Sequence, residues 1–361
     1  MKEAQLQILQ NYALGPLTTF NIGGPARYFV SVSTEEVLQE ALQFASGRRI
    51  SAFILGSGSN ILVSDRGFSG LVISNRISGF DCRTSDGYAT VRVCAGEDWD
   101  RTVQRCVEHG WSGIECLSGI PGTVGAAPIQ NIGAYGQNFS DAATEVRAID
   151  RESNSVVTLD RTACEFRYRE SIFNTKMIAR YVVTGVTLRL AIDGQPTITY
   201  QDLKDRLADA STVTLAEVRK AVIEIRSEKG MVLLPGHPVF KSVGSFFKNP
   251  IVSLTDFEKV LTRLREHSQD GKKPWFWRVA PEQVKISAAY LIEDTGFRRG
   301  YRQGRVGISP RHSLALVNYG GGTAEEIAAL ARRIQQAVRE KFGVLLKPEA
   351  QFVGFSENPL R

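Results

Sequence analysis

Leu117-Ser118-Gly119-Ile120-Pro121-Gly122-Thr123-Val124-Gly125-Ala126-Ala127-Pro128-Ile129-Gln130-Asn131-Ile132-Gly133-Ala134-Tyr135-Gly136 is the stretch whose reading decides the fold of this 361-residue chain. Nearly every side chain in it is small, so a flat ligand and its pyrophosphate could approach the main chain closely. The plain alternative is a flexible loop. That reading fits poorly, because the stretch is apolar rather than hydrophilic, and Ile120, Val124, Ile129 and Ile132 would anchor it.

Upstream, Leu55-Gly56-Ser57-Gly58-Ser59-Asn60-Ile61-Leu62-Val63 reads as strand, tight turn and strand. A Rossmann fingerprint needs a helix after its glycines and a Walker loop needs Gly-Lys-Ser/Thr; neither is present. Glycines and serines between strands can turn successive N–H groups inward as an anion-binding nest, or can simply be a turn. Downstream, Gly244-Ser245-Phe246-Phe247-Lys248-Asn249-Pro250 sets a hydroxyl, a cation and an amide between a glycine and a proline. Phe246 and Phe247 read as core, so Ser245, Lys248 and Asn249 require a separate reason. The bland reading is a strand end closed by a turn.

Composition sets the frame. With 43% hydrophobic and 23% charged residues the chain is an ordinary globular protein, and its length calls for two or three domains. Met1 to Gln10 lacks the apolar core of a signal peptide, and no apolar run reaches the length of a membrane span. A cytoplasmic protein without a membrane partner is therefore expected. Five cysteines (Cys82, Cys94, Cys106, Cys116, Cys164) show no C-x-x-C spacing, and four histidines (His109, His237, His267, His312) are scattered. Neither a disulfide framework nor a bound metal is expected. The net charge of +6 suits an anionic ligand. Its basic residues are dispersed and no nucleic-acid-binding signature occurs, so nucleic acid is not expected. Arg298, Arg299, Arg302 and Arg305 form one dense cluster, either a solvated face or a phosphate site.

The first half reads as α+β with short strands. Ser33-Thr34-Glu35-Glu36 opens a helix with capping-box chemistry that Gly47 ends, and Asp98 to His109 is a second helix. Phe53–Leu55, Ile61–Val63, Val91–Val93 and Val182–Leu190 read as strands. In the second half helices begin at Thr214-x-x-Glu217, Thr255-x-x-Glu258 and Thr323-x-x-Glu326, the last running to Phe342. A boundary is expected near 193–200, around Asp193-Gly194-Gln195-Pro196.

These motifs, with Thr19-Phe20-Asn21-Ile22-Gly23-Gly24-Pro25-Ala26, Tyr168-Arg169-Glu170-Ser171-Ile172-Phe173 and Lys347-Pro348-Glu349, give the chain a close resemblance to the UDP-N-acetylenolpyruvoylglucosamine reductase family, in its longer, type I form. They stand in the family's order and cover roughly residues 18 to 354. The resemblance implies an α+β protein: an FAD-binding fold of the vanillyl-alcohol-oxidase/PCMH class in two α+β subdomains, 1–75 and 76–195, followed by an α+β substrate-binding domain, 200–361. It implies FAD as cofactor, NADPH and UDP-N-acetylglucosamine enolpyruvate as partners, and a monomer. FAD would lie on Gly56, Ser57, Gly58, Ser59 and Asn60, and on Gly119, Pro121, Gly122, Gly125, Ala126, Ile129, Gln130, Asn131, Gly133, Ala134 and Tyr135.

The implied reaction reduces an enolpyruvyl ether to a lactyl ether in peptidoglycan precursor synthesis. Hydride addition leaves negative charge beside the substrate carboxylate, and Arg169, planar and always protonated, could meet it. By resemblance Ser245 donates the proton, where position matters more than acidity. Glu349 serves either as a protonated donor or as an orienting carboxylate. Tyr168, Tyr200 and Asn249 match substrate contacts, and Lys229 lies in a variant of the family's lysine region. Two other readings use some of the same features. A related flavin oxidase acting on a sugar alcohol explains the glycine segments but not Ser245, Lys248-Asn249 and Glu349 together. A basic RNA-associated protein explains only the charge.

Overall fold

The computed structural model describes residues 6–208, 212–233, 241–267 and 275–360; His237 and the first five residues of the Met1 to Gln10 segment lie outside them. The chain divides into two compact units, Met1–Tyr12, Ala26–Gly58 and Ser69–Val239 in one, and Ala13–Pro25, Ser59–Phe68 and Phe240–Arg361 in the other. This differs from a single cut near 193–200. The helices Gln201–Arg206 and Leu215–Glu228 fall in the first unit.

The first unit holds two main sheets, besides a two-stranded ribbon of Gly133–Ala134 and Gln137–Asn138. In the smaller, strands run in the order Leu9–Ala13, Pro25–Val32, Phe68–Asn75, Ala52–Leu55, the last pair parallel. Helix Glu35–Gly47 covers it, with Val37, Leu38, Ala41, Leu42 and Ala45 buried against Val30, Val32, Leu71 and Ile73. Thr34 caps the helix by accepting the N–H of Val37, as its sequence indicates. The larger sheet orders Ser155–Asp160, Ala143–Asp150, Tyr181–Ile192, Tyr88–Cys94 and Phe80–Ser85 as antiparallel neighbours. Helix Trp99–Glu108, capped by Asp98, packs Trp99, Val103 and Cys106 into the core of that sheet.

The second unit is also α+β. Two three-stranded sheets, Ile251–Ser253/Gln283–Ile286/Phe276–Ala280 and Arg302–Gln303/Val306–Ile308/Leu316–Asn318, share one core with helices Leu254–His267, Ala288–Asp294 and Ala324–Phe342. Phe246 and Phe247, read as core from the sequence, are 0% and 1% exposed there. One capping box differs from expectation. Helix Leu254–His267 starts at Ser253, whose hydroxyl accepts the N–H of Asp256 and donates to its carboxylate, not at Thr255 with Glu258. Both pairs have the right spacing; the strand Ile251–Ser253 delivers the chain to the helix two residues earlier.

Helix Ala324–Phe342 does start at Thr323 with Glu326. It has a second cap from afar: the Asp65 carboxylate accepts the N–H groups of Ala324 (2.8 Å) and Glu325 (3.1 Å). These satisfy amides with no partner inside the helix. Asp65→Ala should lower stability by about 1 kcal/mol, seen as a lower urea midpoint at constant slope; an unmoved midpoint would mean that water serves those amides equally well.

Candidate active site

Arg169 sits at the tip of a tight turn closed by hydrogen bonds in both directions between Arg167 and Glu170 (2.9 and 3.2 Å). Its φ is +56°, a left-handed conformation that a non-glycine residue adopts at a cost of roughly 1–2 kcal/mol. The turn is held there by the glycine segment itself. Arg169 donates from Nη2 to the carbonyl of Gly133 (2.5 Å) and from Nη1 to that of Asn131 (3.5 Å). Asn131 donates from Nδ2 to the carbonyl of Arg167 (3.0 Å), and the Ser171 hydroxyl donates to that of Ile129 (2.7 Å). Asn174 closes the far side by donating to the Arg169 carbonyl (3.2 Å). Strain of this kind persists where neighbours over-determine it, and it accompanies functional positions. The guanidinium lies 5.4 Å from the Tyr168 ring centroid.

A second group in the same unit comprises Tyr135, Tyr200 and Lys229. The rings of Tyr135 and Tyr200 meet edge to face at 5.4 Å. Lys229, the residue that ends helix Leu215–Glu228, lies 5.6 Å from the Tyr135 ring and pairs with Asp202 at 2.7 Å. Burial pushes the Tyr135 phenol up to about 12 and also raises that of Tyr200, where Asp202 adds to the effect. Both phenols therefore stay protonated at neutral pH and can donate to an anionic oxygen.

The second unit brings together Asn60, Ser245 and Glu349. Main chain 246–248 lies beside 347–349: Lys248 N–H donates to Lys347 O (2.9 Å) and Glu349 N–H to Phe246 O (2.8 Å). Phe246 N–H is held by Leu314 O (2.8 Å), and Gly244 turns at φ +71°. Ser245 is thus set between the main-chain bonds of Phe246 on one side and, on the other, the Gly244 N–H, which donates to the Ser242 hydroxyl (3.3 Å). Asn60 donates from Nδ2 to the Glu349 carbonyl (3.2 Å) and accepts the N–H of Gln351 (3.0 Å). The heptapeptide does not form a strand; Phe247 makes only a single bridge with Pro348. Asn249 has a structural task, since its Oδ1 accepts the N–H of Ala288 at the start of helix Ala288–Asp294 (2.9 Å).

The glycine segment fits a flat anionic cofactor in its composition: from Leu117 to Gly136 it contains no charged side chain. Gly58 (+67°), Gly119 (+69°) and Gly122 (+147°) take backbone angles that glycine alone adopts cheaply. Its amides are less available than the sequence suggests. Those of Gly125, Ala126, Ile129 and Asn131 bond to Ala95, Thr123, Ala126 and Pro128 carbonyls, and that of Gly119 to Asp100. At these positions a cofactor would meet carbon and carbonyl oxygen. Gly125 is small for the protein's own sake, because a Cβ there would lie 2.6 Å from the Cβ of Ala95.

The arginine cluster does not gather into a phosphate site. Arg299 pairs with Glu293 and Arg305 with Glu326, each at 3.3 Å, and Arg302 lies over the Tyr319 ring. Among the described residues no group of His, Cys, Asp and Glu could hold a metal ion, and no helix is long and apolar enough to cross a membrane. The sequence reading missed Asp100, Arg219 and Arg226, which contact the segment or one another. The seven-residue spacing of the two arginines on one helix was the available signal.

Two family models match the chain: an FAD binding domain over residues 26–160, and the C-terminal domain of UDP-N-acetylenolpyruvoylglucosamine reductase over 237–353. The first, with the glycine cradle, places the chain among FAD-binding proteins. A UDP-N-acetylenolpyruvoylglucosamine reductase of Thermobifida fusca is 42% identical over 350 residues, 96% of this chain and 98% of that one. One from Streptomyces avermitilis is 40% identical over 353 residues, 97% and 96% of the two chains. The crystal structure of the reductase from Thermus caldophilus aligns over 97% of this chain and 99% of that one, with a TM-score of 0.65 and 25% identity. The chain belongs to the UDP-N-acetylenolpyruvoylglucosamine reductase family.

Gly125→Ala should cost about 1–3 kcal/mol through overpacking against Ala95, measured as a lower denaturation midpoint. Ala95→Gly in the same chain should recover much of the loss; no recovery would show that the clash lies elsewhere.

Proposed function

We infer that this chain catalyses the NADPH-dependent reduction of UDP-N-acetylglucosamine enolpyruvate to UDP-N-acetylmuramate, with FAD as its prosthetic group, in peptidoglycan precursor synthesis. Near full-length identity of 42% to a reductase of that name carries the reading. A cytoplasmic monomer belongs to the same proposal, as does the functional division 1–75, 76–195 and 200–361. Helices Gln201–Arg206 and Leu215–Glu228 amend that division, because they pack in the first unit.

FAD held on the glycine segments would supply two-electron hydride chemistry between NADPH and the alkene. The remaining demands fall on side chains. Arg169 stabilises the charge that develops on the substrate carboxylate. Because carbonyls of the glycine segment already hold its guanidinium, little reorganisation is needed when that charge appears. Ser245 donates the proton to the carbon beside the carboxylate. A hydroxyl is a weak acid, but a carbanionic carbon is a strong base, and the backbone bonds made by the adjacent Phe246 limit the motion of Ser245. Glu349 serves as a protonated donor or orients Arg169 or the substrate. Tyr168, Tyr200 and Lys229 hold the substrate, the phenols as donors and Lys229 as a cation that must exchange Asp202 for the ligand's negative charge. Asn249 can contribute its amide nitrogen while its oxygen caps a helix.

The purified protein should be yellow, lose its colour anaerobically with NADPH, and regain it on adding the enolpyruvyl nucleotide. A colourless protein that takes up no FAD would defeat the reading, and oxygen uptake with a polyol would favour the related oxidase. Ser245→Ala should slow the second half-reaction roughly 10²–10⁴-fold and leave the first near normal; equal loss in both would remove Ser245 from the role. Tyr200→Phe should raise KM for the nucleotide with little change in reduction by NADPH, whereas an unchanged KM would make Tyr200 a packing residue.

A further inference from the structure

The peptide of Gly119, which opens the cradle, is gripped from both sides by side chains of two helices. Its N–H donates to Asp100 Oδ1 at 2.5 Å, and its carbonyl accepts from Arg226 Nε at 3.2 Å. Asp100 lies in the first turn of helix Trp99–Glu108 and is 6% exposed. A buried carboxylate is costly unless paired. Arg219 pairs it with a full fork, Nη1 to Oδ1 at 2.6 Å and Nη2 to Oδ2 at 2.7 Å. Burial opposes ionisation of Asp100, but the Arg219 fork, the Gly119 N–H and the charges of Arg219 and Arg226 outweigh it and hold the carboxyl below its ordinary range.

The same helix turn fixes the neighbouring residues. Trp99 Nε1 donates to Leu117 O (3.2 Å), and its N–H donates to Gly122 O (3.0 Å). Arg226 reaches on to Met231 O (3.1 Å), beyond Lys229. A shift of helix Leu215–Glu228 would therefore move Gly119 and Lys229 together.

We propose that Asp100, Arg219 and Arg226 are positioning residues for the cofactor: they fix the left-handed Gly119 peptide so that the cradle is formed before the FAD pyrophosphate arrives. The clamp spends the Gly119 amide on Asp100, so it shapes the turn without contacting the ligand through that N–H. It also sets a buried ion pair beside an anion site, with Arg226 as the extra positive charge. This inference rests on reading the segment as an FAD cradle.

The experiment dilutes holoenzyme and follows the fluorescence of released FAD, together with a urea midpoint at saturating FAD. Asp100→Ala leaves the Gly119 amide and the Arg219 charge without their partner. It should weaken FAD binding roughly 5- to 100-fold. Arg226→Gln should weaken it as well. If either variant fails to fold, Asp100→Asn/Arg219→Gln, which removes both charges and keeps hydrogen-bonding groups, replaces it and should still bind FAD less tightly than wild type. A lowered urea midpoint with unchanged FAD affinity would overturn the proposal and make the clamp purely structural. FAD-free wild-type protein that cannot be reconstituted would instead overturn the cradle reading on which the proposal rests.

Discussion

Main chain that runs through a protein interior outside any ladder or helix must still satisfy each of its polar groups, and this constraint shapes the first unit. The stretch 117–136 is largely irregular and contains buried residues throughout. Its carbonyls and amides are met by side chains from several directions: Trp99, Asp100 and Arg226 at one end, Arg169 and Ser171 at the other. Gln137 and the fully buried Glu115 extend the same pattern. Gln137 accepts the N–H of Cys116, and Glu115 accepts those of Gly113 and Thr197. Each such bond contributes modestly, but an unmade one costs more than a made one gains. The segment therefore has one well-determined path, which a small-residue sequence alone would not supply.

The second unit solves the same problem with backbone rather than side chains. Two irregular segments, 246–248 and 347–349, satisfy each other and Leu314. That arrangement leaves Ser245 and Glu349 without a large share of the packing task, which falls to Phe246, Phe247 and Leu346, all nearly inaccessible. Residues relieved of structural duty can be chosen for reactivity. The alternation of buried aromatic and partly exposed polar residues across 244–250 is the local expression of that division.

What the sequence revealed was mainly what is local. Thr214 and Thr323 start helices because a hydroxyl and a carboxylate three residues apart satisfy amides within one turn, and Thr34 starts one because its hydroxyl accepts the N–H of Val37. The same logic failed at Thr255 because Ser253 with Asp256 offers an equivalent pair and the preceding strand selects it. Strands at 52–55, 61–63 and 181–192 were legible from β-branched residues. The unit boundaries were not, because they depend on which distant segments pack together: residues 59–68 join residues beyond 240, and 201–233 join the first unit. Among candidate site residues, the grouping of Tyr135, Tyr200 and Lys229 needed the structure, as did the stitching of Arg169 to Gly133. Asp100 was invisible as anything but a helix-start acid, its partner Arg219 lying 119 residues further on.

Strand Gln351–Val353 pairs in parallel with Ile61–Val63, and Asn60 reaches Glu349 across 289 positions of sequence. Residues 59–68 therefore emerge from the ribosome long before their partners exist. Because the entropy of closing a loop rises only slowly with its length, such a pairing is affordable once formed. Its timing is another matter, since contacts so remote in sequence form late. During synthesis, Ile61, Leu62 and Val63, all buried in the finished molecule, present an apolar edge with nothing to cover it. In the nascent chain this small hydrophobic strand stays uncovered until residues 351–353 have been made.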